Sequence, residues 1–350
     1  MGKRMKHRRT RLSKRRTVIG IITALAAVII FGAVLYAFDV RSKQSEGKGD
    51  SGKWASDLTG ATTLTLGDQK FEYTDDTDIY LIIGTDDTGS DPDAEKGFNG
   101  NMADFLVLLV QNRTQNTYGF IQLDRDTITD VPVLDENGEE EGTIEEQLCI
   151  AHWYGQNEEQ RNNNTVTTVS RLLGGLPING YYSMNMHDVG MINHVLGGVT
   201  VEIEEDMTSV DPQMEKGAKI QLTDEQARAY LRARMTVGDG MNAGRMNRQR
   251  QYMQGAYAIV LERLREDPEF INEAYDELTD LIDSDLPRKE ISKIAAQIRE
   301  AESVGILTID GESKIGDTLG NGQEHAEFYI STESLIETLQ KLIDLKPKKK

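Results

Sequence analysis

Short apolar runs bounded by turn residues punctuate the first two thirds of the chain, and helical periodicity dominates the last third. Residues 78–87 (DIYLIIGTDD), 103–110 (ADFLVLLV) and 118–129 (YGFIQLDRDTIT) each read as a buried strand that meets acids or arginine at one end. Residues 62–74 (TTLTLGDQKFEYT) predict two short strands about a Gly-Asp turn. From Thr165 onward a helix, a strand at 178–184, a second helix and a strand at 198–203 follow one another. Helices are also expected at 222–233, from near Ala243, at 269–282, at 287–301 and at 331–345, with a strand at 305–310 and a Gly-rich loop after it. This alternation predicts an α/β fold, a three-layer α/β/α sandwich with a mixed central sheet. Residues 131–146 are expected to be an acidic loop, residues 147–155 to be helical, and the closing KPKKK to be a solvated basic tail at 346–350.

The N-terminus changes the picture. Residues 1–16 carry nine Lys and Arg and no acid, and residues 17–38 carry no charge over a length sufficient to cross a bilayer as one helix. Basic residues ahead of a span place the head in the cytoplasm and the remainder outside the cell membrane. The run is longer than the apolar core of a secretory signal and offers no clean cleavage site, which favours an uncleaved anchor. Residues 39–74 then form an extracytoplasmic linker with the two short strands. Thirty-nine Lys and Arg less those nine leave 30 against 58 acids, so the ectodomain repels nucleic acid and other polyanions at long range. The single cysteine, Cys149, allows no intramolecular disulfide.

Against that background, residues 224–251 gather Arg228, Arg232, Arg234, Arg245, Arg248 and Arg250 with no lysine. Guanidinium forks match phosphate or carboxylate bidentately, so the cluster points to a shaped oxyanion site; the bland alternative is a solvated, salt-bridged helix pair. Thr223 and Gln226 form a capping-box pattern. Arg232 and Arg234 converge only if the helix ends near Ala233, where TVGDGMNAG supplies the break. Arg245 and Arg248, three apart on the next helix, share a face. Asp86 follows a strand and reads as a metal or phosphate-site residue or a turn cap; Asp104 meets it if the two strands are antiparallel neighbours, which would suit Mg²⁺. Arg125, between Asp124 and Asp126, is either an oriented arginine or a surface ion pair. His152 reads as structural, because the histidines lack metal-ligand spacing, and Arg263 as solvated. No P-loop, G-x-G-x-x-G, G-x-S-x-G or H-E-x-x-H occurs.

Together these residues resemble the LytR-CpsA-Psr family of cell-envelope proteins. The likeness rests on the basic head and span, IIGTDD, AD before FLVLLV, LDRDTIT, AHWYG, LLGGLPINGYYSMNM with LGGVTVEI, and LRAR with GRMNRQ, spanning residues 75–345. The resemblance implies transfer of an anionic glycopolymer, such as teichoic acid or capsular polysaccharide, from a polyprenyl-pyrophosphate carrier to peptidoglycan. It implies Asp86 and Asp104 around Mg²⁺. It also implies Arg125, Arg232, Arg234, Arg245 and Arg248 on the pyrophosphate, Asp126 orienting arginines, Gln249 completing an Arg-Gln pair, and an apolar groove for the isoprenoid. A non-catalytic polyprenyl-phosphate binder and a metal-dependent pyrophosphohydrolase share the same site. The chain departs from the family pattern at Met102 (Arg in the family), Asp124 (Pro), Gln147 to Cys149 (Lys-x-Asn) and Asn242 (Asp). Arg113 and Arg171 are candidates to replace the arginine missing at 102.

Overall fold

The computed structural model describes residues 63–73, 76–86 and 102–348, apart from short stretches between 268 and 299 and at 319 and 321. The basic head, the expected span, most of the linker and residues 87–101 lie outside the described residues. Among the described residues no helix is long and apolar enough to cross a membrane.

A six-stranded mixed sheet forms the centre, with β3 (Thr77–Thr85), β4 (Ala103–Asn112), β5 (Thr117–Leu123), β8 (Gly180–Asn185), β11 (Ile282–Ser284) and β12 (Glu302–Thr308) in the order β11-β8-β3-β4-β5-β12. β3 and β5 are each antiparallel to β4, while β8 pairs parallel with β3 and β12 parallel with β5. Successive side chains point to opposite faces and both faces are covered, so the middles of β3, β4 and β5 are near-continuous apolar runs. Tyr80, Val107, Leu109 and Phe120 join one core with helices α2 (Val189–Leu196), α3 (Asp224–Arg232) and α4 (Asn242–Glu266). Phe270, Ala274, Leu278, Ile294 and Ile298 complete that core at helical spacing. Leu81, Ile83, Leu106, Leu108 and Ile121 join a second core on the other face. There they meet α1 (Glu158–Leu172), α5 (Thr332–Gln340) and the hairpin of β1 (Thr63–Leu66) and β2 (Gln69–Glu72).

Several segments differ from expectation. The acidic stretch after Asp130 is a hairpin, β6 (Ile128–Leu134) with β7 (Glu140–Gln147). β7 is mostly exposed, so no apolar alternation announces it. Its turn is fixed instead by Asp135, whose Oδ1 accepts from Asn137 N (2.8 Å) and Glu139 N (2.9 Å). Leu148–Trp153 is a 3-10 helix rather than an α-helix. The end of the helix expected at 269–282 becomes edge strand β11. Two short strands, β9 (Thr200–Glu202) and β10 (Lys219–Gln221), pair with each other. The Gly-rich segment after β12 contains β13 (Gly311–Gly316), paired with β14 (His325–Ile330). Lys346 and Pro347, expected in a solvated tail, form β15 and pair with β2, because the ladder of that edge strand would otherwise end unpaired.

Candidate functional site

Because β3 and β5 both run antiparallel to β4, the carboxyl ends of the first two lie beside the start of the third. Asp86, Asp104 and the Asp124-Arg125-Asp126 turn therefore meet at one edge of the sheet. Gly84 opposes Phe105 and Thr85 opposes Ala103, which leaves Asp104 as the extra residue of a β-bulge. A bulge re-aims the side chain it carries. Asp86 N still donates to Met102 O at 2.9 Å, so the pairing resumes beyond it. Past β5, the Thr127 hydroxyl donates to Asp124 O (2.6 Å), and Cys149 N donates to Arg125 O (3.0 Å). Arg125 is held from both sides of its backbone.

The arginines arrive from α3 and α4. The capping box of Thr223 and Gln226 starts α3 as its sequence predicts, and the helix stops at Ala233, whose ψ of 129° is extended. That break aims Arg232 and Arg234 at the same sheet edge. Arg232 pairs with Asp86, and Arg234 clamps both oxygens of Asp126 (2.6 and 3.3 Å). Arg245, on the first turn of α4, donates to Asp104 Oδ2 (2.8 Å), and Arg125 takes the other Asp104 oxygen. Arg125 also lies 3.3 Å from Asp126 Oδ1 and 3.1 Å from Met102 Sδ. Gln147 Nε2 ties Asp126 Oδ1 (3.0 Å) to the carbonyl of Ala326 (2.6 Å).

Two predicted residues face elsewhere. Arg248 donates to the carbonyls of Tyr230 (3.0 Å) and Ala233 and to Glu205 (3.2 Å), so it braces the carboxyl end of α3. Gln249 accepts from Gln122 Nε2 at 3.0 Å, and Arg250 donates to Gln122 Oε1 at 2.8 Å. Arg228 donates to His187 O. Neither candidate replacement reaches the gap at Met102, since Arg113 pairs with Asp78 and Arg171 with Glu140. His152 is fully buried against Asn162 (3.0 Å), in line with a structural role. Arg263 is not solvated; it donates to the carbonyls of Val195 and Leu196 (both 3.1 Å) and lies 4.9 Å from the centre of the Phe270 ring.

Burial alone would raise the pKa of Asp104, but Arg125 and Arg245, with Arg234 and Arg232 behind them, outweigh it and hold the carboxyl below its ordinary value. Arg125 is likewise burial-penalised, yet Asp104 keeps it firmly protonated. Burial pushes Asp124 the other way, upward, and the charge of Asp126 adds to it. The buried Cys149 thiol is pushed up to about 12, so it is neither an anion nor a nucleophile here.

Arg125, Arg232, Arg234 and Arg245 thus share three carboxylates, Asp86, Asp104 and Asp126. For a cation, Asp104 has both oxygens on guanidiniums, and among the described residues no group of three or more His, Cys, Asp or Glu could hold a metal ion. Two carboxylates fit Mg²⁺ only where phosphate and water complete its shell.

An apolar cavity of about 780 Å³, counting the space at its open mouth, is lined by residues within two positions of Asp86, Asp104 and Arg232. Gly84, Phe105, Leu231 and Gln249 line the near part, with Met184, Met186, Ile192 and Met253 among the rest of the wall. A Cβ on Gly84 would lie 2.6 Å from Met186 Sδ and 2.8 Å from Phe105 Cβ, so glycine is needed there for the wall to close.

The fold and site define an α/β protein with an arginine–aspartate cluster beside an apolar cavity. The chain belongs to the LytR_cpsA_psr family, whose model matches residues 39–346. It is 28% identical over 240 residues to the "Polyisoprenyl-teichoic acid--peptidoglycan teichoic acid transferase TagU" of Bacillus mycoides (strain KBAB4), covering 68% of each chain. The TagU of Bacillus anthracis (strain A0248) is 30% identical over 175 residues, and the chain spans half of that relative's length. Among solved structures, protein gbs0355 of Streptococcus agalactiae superposes with a TM-score of 0.59 at 20% identity, over 78% of this chain and 90% of that one. That likeness bears on the fold alone.

Proposed function

We propose that the protein is a membrane-anchored, extracytoplasmic glycopolymer transferase, which moves an anionic polymer from a polyprenyl-pyrophosphate carrier to peptidoglycan. The observation that carries this reading is the four-guanidinium ladder beside an apolar cavity, with Asp86, Asp104 and Arg232 next in the chain to its lining. One end suits a pyrophosphate and the other an isoprenoid tail. The names of the TagU relatives support the same class of donor and acceptor.

In this reading Arg125, Arg232, Arg234 and Arg245 take the pyrophosphate oxygens. The carboxylates Asp86, Asp104 and Asp126 hold those guanidiniums aimed at the site before substrate arrives. Arg248 acts through α3, and Gln249 lines the cavity. An acceptor hydroxyl on peptidoglycan attacks the polymer-side phosphorus. A new P–O bond forms, the bridging P–O bond of the pyrophosphate breaks, and polyprenyl phosphate leaves; the hydroxyl proton passes to a carboxylate or to water. Mg²⁺, held by Asp86 and Asp104 together with phosphate oxygens, would supply charge neutralisation.

The test is incubation of the protein with a polyprenyl-pyrophosphate-linked polymer and peptidoglycan, with and without Mg²⁺. Polymer attached to peptidoglycan in a Mg²⁺-dependent manner is the expected outcome. Phosphorylated polymer released with none attached would identify a pyrophosphohydrolase, and substrate retained unchanged would identify a binder. The topology is tested separately: protease added to intact protoplasts should remove the ectodomain and spare an N-terminal tag.

A further inference from the structure

Arg245 owes its orientation to more than Asp104. Its Nε and Nη2 both donate to Asn242 Oδ1, at 2.9 and 2.6 Å, and the amide nitrogen of Asn242 donates to Asp124 Oδ1 at 2.7 Å. Asp124 Oδ1 also accepts from Asp126 N at 2.9 Å, which ties this chain of contacts to the turn carrying Arg125. Asp124, Asn242 and Arg245 are all buried. The amide can stand only one way round, because its reverse would set an NH₂ against a guanidinium and a carbonyl against a carboxylate. Asn242 is therefore an adaptor between a buried cation and a buried anion.

We propose that Asn242 and Asp124 form a coupled positioning pair that sets Arg245 for anion binding, with the neutral amide at 242 required because a carboxylate already stands at 124. This deepens the reading above and rests on it for the identity of the anion. A carboxylate at 242 would lie at hydrogen-bond distance from Asp124, and two such groups cannot both ionise without strong repulsion. The other charges facing Asp124 are Asp126 on its own turn and Arg245 on α4. Burial and Asp126 already oppose its ionisation, so a third acid has no room to share the proton. An amide at 124 keeps both hydrogen bonds through its oxygen while Asn242 is present; opposite a carboxylate at 242 it removes the charge conflict by turning its NH₂ toward 242, at the cost of the bond from Asp126 N.

The test is a cycle of Asn242→Asp, Asp124→Asn and the two combined, read by binding of geranyl pyrophosphate from pH 5 to 8 and by thermal unfolding. Asn242→Asp should weaken binding about tenfold near pH 7 and make affinity fall as pH rises, the scale of coupling between contacting residues. Asp124→Asn alone keeps the acceptor oxygen and should weaken binding less than Asn242→Asp does. Adding Asp124→Asn to Asn242→Asp should recover part of the affinity, flatten the pH profile and raise the unfolding midpoint above that of Asn242→Asp. A flat profile for Asn242→Asp, or no recovery in the combined variant, would overturn the pair. If Asn242→Asp alone fails to fold, the combined variant decides: folding with restored affinity supports the proposal, and failure to fold or bind overturns it. If the native chain itself does not bind the probe, the functional reading fails while the unfolding midpoints still decide whether the two positions are coupled.

Discussion

Asp104 and Asp86 stand at the ends of neighbouring antiparallel strands, yet their surroundings differ. Asp104 is wrapped by Arg125 and Arg245, whose side chains are only 11% and 4% exposed, whereas Asp86 meets Arg232 where both side chains are 22% exposed. In the inner layer each charge depends on the others, because an unpaired ion in a buried place is strongly disfavoured. At the rim, water can replace either partner, so a ligand can displace the contact at modest cost. The inner layer is therefore the more rigidly interdependent of the two, and the rim pair the more readily exchanged.

Removing the inner anion should have the largest effect. Asp104→Ala leaves Arg125 and Arg245 buried side by side and should cost about 3–5 kcal/mol of unfolding free energy, measured by denaturant titration. Pyrophosphate in the medium should recover part of that loss by supplying the missing charge. A loss below about 1 kcal/mol would place Asp104 with the rim pairs.

At the rim the pattern reverses. Arg232→Ala should leave the unfolding midpoint nearly unchanged and weaken isoprenyl-pyrophosphate binding about ten- to a hundredfold, the worth of one hydrogen bond to a charged group. Equal losses of binding for Arg232→Ala and Arg228→Ala would mean that net charge alone matters.

Acid pH separates the two buried carboxylates by sign. The folded pKa of Asp104 lies below its ordinary 3.8, so its stabilisation is complete above that value and is lost as pH falls through the lower folded value. Asp124 is shifted upward, so its ionised form costs stability above its folded pKa, and that cost fades as pH falls toward 3.8. Asp124→Asn should therefore gain stability relative to the native chain at pH 7 and converge with it near pH 4. Asp104→Asn should instead flatten the acid limb. Identical pH profiles for the two variants would contradict the assigned directions.

Much of this site is legible in the chain. The end of α3 at Ala233 follows from the capping box and the glycines beyond Thr236, and the meeting of Asp86 with the start of β4 follows from antiparallel pairing. Helical spacing also places Arg245 and Arg248 on one face, but it does not say what covers that face. Arg248 finds the carbonyl end of α3, a tertiary partner that no local pattern specifies. The bulge at Asp104 is hidden for the same reason, since a one-residue change of register leaves the apolar run unchanged. Asn242 and Asp124 are 118 positions apart, and only the fold shows them in contact. The acidic β6–β7 hairpin is missed because its second strand is mostly exposed and carries no apolar alternation.

The smallest effect belongs outside the site. Arg263→Ala removes two bonds to the last carbonyls of α2 and a contact with Phe270, and should cost about 1 kcal/mol of stability by thermal unfolding without altering ligand affinity.

The most direct test of the account is a comparison, by calorimetry on the native chain, of geranyl pyrophosphate with inorganic pyrophosphate. If the proposed function holds, both engage the arginines and only the first enters the cavity, where each buried methylene contributes about 0.8 kcal/mol. Allowing for incomplete burial, the isoprenyl ligand should bind at least about a hundredfold more tightly, and a tryptophan at Met186 should abolish that advantage while leaving inorganic pyrophosphate unaffected. Equal affinity for the two ligands would contradict the claim that the anion site and the apolar cavity serve one substrate.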